Sequence, residues 1–492
     1  MAASPMTRRT LLRMLGAGAA ALTLPRRARS EPEAAAAPAR PTGKAPNIVF
    51  IFADDMGYGD PGCYNADSKC PTPNIDRLAA EGMRFLDAHA PGSWCVPSRY
   101  GLLTGRYPFR AKGYKIEPDR LTIASLLKKH GYATACVGKW HLGWDNQKDP
   151  PADKPMRGGP VDRGFDYYFG IHASLDIPPY YYVENDRCVA RPTGKVAGSN
   201  TPGWTKIQGA FWRGGGMAPG FKHDEVLPKF TEKSVAWLTD RHRKAPDQPM
   251  FLYLALAAPH TPWLPTGRFD GISRSNMYSD FVAQVDDSVG QVLAALGRMG
   301  LADNTLVLFS SDNGPVWYAQ DVQRYKHRSV GPLRGMKGDV WEGGHRMPFI
   351  ARWPGRVKPA TTSGELICFT DMLATFAEIV GAKLPAGAGE DSVSILPVLL
   401  GRKLDKPVRR TLIHPAGLYG IRCGKWKLIA GLGSGGFSKP RRRKPAAGEP
   451  PGQLYDLQAD LGETKNLYAE RPEVVEKLTK LLEQQRKARS PM

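Results

Sequence analysis

The chain has 492 residues, 42% of them hydrophobic, a proportion ordinary for a soluble enzyme, and its length suits one large domain plus a smaller one. A formal charge of +21 steers anionic partners, although charge alone does not separate nucleic acid, a membrane surface and a sulfated polymer. The seven cysteines, at 63, 70, 95, 136, 188, 368 and 423, lack zinc-ligand spacing and no repeat of solenoid length is present, which excludes a zinc ribbon and a solenoid.

Residues 1–30 hold six arginines and no acid, and Thr7-Arg8-Arg9-Thr10-Leu11-Leu12-Arg13 leads into a short apolar run from Met14 to Leu24. Paired arginines before such a run predict a twin-arginine export signal, and so a periplasmic or extracellular location. The run is too short for stable membrane insertion. A protein exported already folded has met a reducing cytoplasm first, so no disulfide framework is expected. Residues 31–46, rich in Ala and Pro, read as a linker. The chain beyond Arg29 still carries +15, part of it in Lys439-Pro-Arg-Arg-Arg-Lys444, which is either a solvated loop or an anion contact.

From residue 47 to about 380, apolar runs alternate with helical patterns, which predicts an α/β fold. The first strand is 47–53, and Ile75, Leu78, Ala79 and Met83 form a helical stripe. Leu102, Leu103 and Thr104 read as the first turns of a helix beyond Cys95, and another helix covers 121–130; strand 133–137 then runs into Gly138-Lys139-Trp140-His141. Residues 145–225, dense in Gly, Pro and aromatics, predict a rim or lid that selects the alcohol portion of the substrate by stacking on a sugar or aryl ring. Helix 229–243, strand 251–257, helix 277–299 and strand 305–309 follow. After residue 401 come short strands at 411–414, 419–423, 426–429 and 454–457 and a closing helix at 472–487. The reading is a main domain over 47–400 and a C-terminal antiparallel sheet with a packed helix over 401–492.

Four apolar strands deliver reactive side chains just past their carboxyl ends: Asp54 and Asp55, Lys139 and His141, His260, and Asp312 with Asn313. Ligands of open α/β sheets bind beyond that edge. Three aspartates and an asparagine offer hard oxygens, which suit calcium or magnesium and not zinc. Arg99, Lys139 and Lys337, with His141 and His260, suit a tetrahedral oxyanion, sulfate or phosphate. Cys95, in Cys95-Val-Pro-Ser-Arg99, sits at a helix start where backbone N–H groups favour negative charge; it is either a buried structural thiol or a reactive group.

With Cys95-x-Pro-Ser-Arg99, Leu103-Thr-Gly105, Gly138-Lys-Trp-His141, Pro259-His260, Asp312-Asn-Gly314, Lys337 and the C-terminal Leu454-Tyr-Asp-Leu457, the chain resembles the type I sulfatases of the alkaline phosphatase superfamily, close to the arylsulfatases. The resemblance implies a large mixed central sheet flanked by helices. It implies that a formylglycine-generating enzyme oxidises Cys95 to Cα-formylglycine, and that Asp54, Asp55, Asp312, Asn313 and modified Cys95 hold calcium, in preference to magnesium. A hydroxyl of the aldehyde hydrate, deprotonated with help from Asp312, would attack sulfur; His260 and Lys337 would protonate the leaving oxygen; His141 would take a proton when sulfate is expelled; Arg99 and Lys139 would hold the diol and the sulfate. The substrate implied is an aryl or, in preference, a carbohydrate sulfate, with no role for nucleic acid. Two other readings stand beside it: a formylglycine-dependent phosphonate monoester or phosphodiester hydrolase, and an inactive sulfated-glycan-binding protein with unmodified Cys95.

Overall fold

The computed structural model describes Met1 and residues 44–488 apart from 112 and 114; the export signal and most of the linker lie outside the described residues. Asn47–Asp54 is buried at every position, as expected of a strand with helices on both faces, and it lies inside a ten-stranded sheet. Five neighbouring strands run parallel in the order Thr305–Ser311, Asn47–Asp54, Met250–Pro259, Ala133–Lys139 and Tyr167–Ile171. Phe349–Arg352 joins one side antiparallel, and Val183–Glu184 with Arg187–Cys188 close the other side, so the sheet is mixed. Helices Val226–Lys244 and Met277–Arg298 pack together and on the Met250–Pro259 strand, while Cys95–Thr104 and Ile123–Lys129 pack with Met372–Ile379. Among the described residues no helix is long and apolar enough to cross a membrane, and all seven cysteines are unpaired.

Two expectations need correction. Met83 does not continue the helical stripe: the helix is Pro73–Ala80, and Met83 belongs to the strand Met83–Phe85. The break is steric, since a Cβ on Gly82 would stand 2.4 Å from the Ala351 carbonyl oxygen, so only glycine lets the chain turn there onto its neighbour strand. The helix beside Cys95 runs Cys95–Thr104, so Leu102, Leu103 and Thr104 are its last turn and not its first. Within the 145–225 segment, two tyrosines face inward. Tyr181 is fully buried and stacks on His172 at 5.2 Å, and the Tyr180 hydroxyl donates to the Arg213 carbonyl at 2.6 Å, so these rings anchor the segment.

The C-terminal strands Thr411–Pro415, Tyr419–Cys423, Trp426–Ile429 and Gln453–Asp456 form an antiparallel sheet in chain order. Val475, Leu478 and Leu482 of helix Pro472–Lys487 pack with Leu412, Ile421 and Leu428 of that sheet, and Tyr107, Leu366 and Cys368 of the larger part enter the same apolar cluster. A buried polar cluster also joins the two parts. Lys427 pairs with Glu342 and Glu463, both at 2.9 Å, and the rings of His345 and His414 stack at 3.5 Å beside His89.

Candidate active site

The site lies at the carboxyl edge of the parallel strands. A register shift between Phe52 and Asp54 brings Asp54 opposite Pro259 and re-aims the two aspartates. Asp55 then takes φ +64° and His141 φ +57°, left-handed conformations that turn both side chains off their strand directions. Gly138 permits the close strand approach before Lys139: at φ +126°, a Cβ there would lie 1.8 Å from the Ala255 carbonyl oxygen.

Asp54 is fully buried and accepts from Lys139 Nζ at 2.5 Å, with Arg99 3.6 Å away. Burial alone would raise its carboxyl, but Lys139, His260 and Arg99 outweigh burial and hold it well below the usual carboxylate range. Arg99 donates through Nε to Asp312 Oδ2 at 3.0 Å. Asp312 is pushed up to about 7, first by burial and then by the neighbouring charge of Asp54. Asn313 donates through Nδ2 to Asp55 Oδ1 at 2.6 Å, and the Asp55 amide donates to Asp312 Oδ1 at 3.2 Å. The four oxygen-bearing residues therefore form one interlocked group.

Cys95 is the first residue of helix Cys95–Thr104, behind an extended Trp94, and its thiol is 5% exposed. The helix start would favour a thiolate, but burial dominates and pushes the thiol up to about 12. Lys337 Nζ stands 3.4 Å from Sγ and donates to both oxygens of Asp55, at 2.6 and 2.8 Å. Ligand atoms of Asp54, Asp55, Cys95 and His260 all lie within 4.8 Å of one another. His260 Nδ1 donates to the Thr261 carbonyl at 2.7 Å, which turns Nε2 toward Asp55 Oδ2 at 3.7 Å. His141 is held well below its ordinary value, by burial first and by Lys139 and Arg99 next, and its Nδ1 has no hydrogen-bond partner.

Thus Arg99, Lys139, His141, His260, Lys337 and the Asp54, Asp55, Asp312, Asn313 set converge on Cys95. A cation fits this set: Asp54 Oδ1 and Asn313 Oδ1 are buried oxygens without a hydrogen-bond partner, next to two further carboxylates. Sequence reasoning missed three neighbours. Asp176, inside the 145–225 segment, is buried 4.0 Å from His260 Nδ1 and paired with Arg213. The Tyr278 hydroxyl reaches the Asp55 carbonyl at 3.0 Å and Asp60 Oδ2 at 2.5 Å, and Asp60 also accepts from the Gly57 amide at 2.6 Å. Asp60 lay within reading distance of Asp54-Asp55, whereas Asp176 and Tyr278 had no local signal.

The family profile described as Sulfatase matches residues 46–382. An N-acetylgalactosamine-6-O-sulfatase of Bacteroides thetaiotaomicron is 34% identical over 481 residues, covering 89% of this chain and 92% of that protein. Human arylsulfatase A is 34% identical over 474 residues, covering 89% and 87%. A solved structure described under the metabolism of multiple glycosaminoglycans by Bacteroides thetaiotaomicron superposes with a TM-score of 0.79 at 32% identity, over 91% of this chain and all of that one.

Proposed function

The chain belongs to the sulfatase family and is a sulfuric ester hydrolase, and from that premise we propose that it removes sulfate from a carbohydrate, with Cys95 working as formylglycine beside a calcium ion. The observation that carries this reading is the gathering at Cys95 of an oxygen-rich group with Lys337 and His260 beside it. Carbohydrate is favoured over aryl sulfate because, although an arylsulfatase is equally identical, a relative named for an N-acetylgalactosamine sulfate and a solved structure described under glycosaminoglycan metabolism both align along nearly their whole length.

Asp54, Asp55, Asp312 and Asn313 would hold the cation, whose hard-oxygen donor set suits calcium. Formylglycine would supply a hydrated aldehyde as nucleophile, and the calcium would supply positive charge against the developing negative charge. The chain's own side chains do the rest. Arg99 is oriented by Asp312 and Lys139 by Asp54, which fixes two cations where sulfate oxygens gather charge. Lys337 Nζ carries protons within reach of a leaving oxygen, and His260, its Nδ1–H held by the Thr261 carbonyl, would turn Nε2 toward the same oxygen. His141, neutral and with an unpartnered Nδ1, is suited to accept a proton. The protein would reach the periplasm or exterior already folded, by the route that Arg8-Arg9 addresses.

The test is hydrolysis of N-acetylgalactosamine 6-sulfate and nitrophenyl sulfate against a phenyl phosphonate, with mass spectrometry of the Cys95 peptide from the native host. Sulfate release with CHO in place of CH₂SH is expected. A large preference for the phosphonate, or an intact thiol in active enzyme, overturns the reading.

A further inference from the structure

Residues 434–444 turn back from the C-terminal sheet onto the two backbone segments that carry Cys95 and Lys337. Gly436 lies so close to Gly338 that a Cβ on it would meet the Gly338 carbonyl at 2.1 Å. The Ser438 amide donates to Asp339 Oδ1 at 3.1 Å, and the Val340 amide donates to the Ser434 carbonyl at 2.8 Å. On the other flank, the Phe437 ring meets the Trp94 ring edge-on at 4.9 Å, one residue before Cys95. The loop is thereby fixed to the rim of the site.

Its tip is strongly basic. Lys439, Arg441, Arg442, Arg443 and Lys444 are all exposed, and only Arg443 makes an ion pair among the described residues, with Glu449. Arg441 is placed by a second contact, its guanidinium lying 5.7 Å from the centre of the Phe437 ring. Four cationic groups, those of Lys439, Arg441, Arg442 and Lys444, thus project with free donors among the described residues, from a support that touches Trp94 and Gly338, the chain neighbours of Cys95 and Lys337. Unpaired like charges repel one another, and an anion gathering them removes that cost. Guanidinium groups match the oxygens of sulfate and carboxylate.

We propose that this loop is an anion subsite for a second charged group on the substrate chain, so that the enzyme acts on a polyanionic glycan, an oligosaccharide carrying further sulfate or carboxylate groups next to the scissile sulfate. The inference rests on the carbohydrate sulfatase reading above and adds the substrate class. The catalytic residues hold one sulfate; Arg441, Arg442 and Lys444 hold its neighbour.

The test compares N-acetylgalactosamine 6-sulfate with a chondroitin 6-sulfate tetrasaccharide bearing the same sulfated sugar at its non-reducing end, on the full chain and on the triple variant Arg441→Ala, Arg442→Ala, Lys444→Ala. Binding of the tetrasaccharide is also measured directly, without turnover. The triple variant is expected to lose about tenfold in tetrasaccharide affinity, through KM and with a weaker salt dependence, and to keep its activity on the monosaccharide. Unchanged tetrasaccharide affinity in the variant overturns the inference, as does equal loss on both substrates with retained binding. Failure of the wild-type chain to release sulfate from either substrate counts against the sulfatase reading, while the binding comparison still decides the subsite.

Discussion

Lys337 holds both carboxylate oxygens of Asp55, at 2.6 and 2.8 Å, while its ammonium stands 3.4 Å from Cys95 Sγ. Burial by itself would lower the lysine's value, but Asp55 and the other nearby negative groups reverse that and raise it, so Lys337 keeps its proton in the resting site. Lys337→Met preserves the length of the side chain and removes the charge. The expected loss in kcat is about 10²–10³-fold, read by steady-state kinetics, with an unchanged circular dichroism spectrum. Near-normal kcat in the variant would show that Lys337 serves only to neutralise Asp55.

Cys95→Ala tests the nucleophile. The side chain is small, buried and starts a helix, and alanine is a good helix former, so folding should survive with a stability loss of about 1 kcal/mol or less. Sulfate release should fall to background. Normal turnover by the variant would remove residue 95 from the chemistry.

Chelation should act on both activity and stability. Asp54, Asp312 and Asp55 crowd three carboxylates into one buried group, with Asp54 raising Asp312. A cation that binds the folded chain at 100 times its Kd adds about 2.7 kcal/mol. Treatment with a chelator should therefore lower the melting temperature together with activity, and added calcium should restore both. Asn313→Ala should raise the calcium concentration needed for half-restoration, since Asn313 Oδ1 is one of the two unpartnered oxygens. Insensitivity of both readouts to chelator would exclude the cation site.

The buried histidines predict an acid limb in stability. His414 lies between His345, His89, Lys427 and Glu342, and both of its nitrogens lack partners. Burial, then His345 and His89, hold it well below the ordinary histidine value. The unfolded chain binds that proton near pH 6.5 and the folded chain does not, so the contribution is complete above that pH and is lost on acidification. The slope is about 1.4 kcal/mol per pH unit for one proton. His414→Leu should flatten the pH dependence of denaturant midpoints below pH 6.5 by about one proton's worth. An unaltered slope would place the proton uptake elsewhere.

The readable parts of this protein were those where one residue type serves one local purpose. Asn47 to Ala53 reads as a buried strand because every position is apolar or satisfied within the sheet, and the polar residues after four such strands mark the site edge. Cys95 stood out because its neighbours Pro97, Ser98 and Arg99 form a compact motif. What escaped was set by distant contacts. Asp176 meets His260 across 84 positions of chain, and Tyr278 reaches back to Asp55, neither with a periodic signal. The tyrosines at 180 and 181 have the composition of a sugar platform and the burial of a core, a distinction that only packing decides.

Every residue proposed to hold the cation or to carry a proton precedes Gly338, yet the backbone around Lys337 is completed by later residues. Ser434 receives the Val340 amide, Ser438 is held by Asp339, and Glu463 accepts from the Glu342 amide at 2.7 Å. During synthesis the ribosome has therefore delivered all the reactive groups long before it delivers the residues that seat them. A chain ended by a premature stop codon after residue 400 would carry all of these side chains with the Lys337 loop unsupported, and the order of translation makes the final fifth of the gene a support for the groups encoded in the first four.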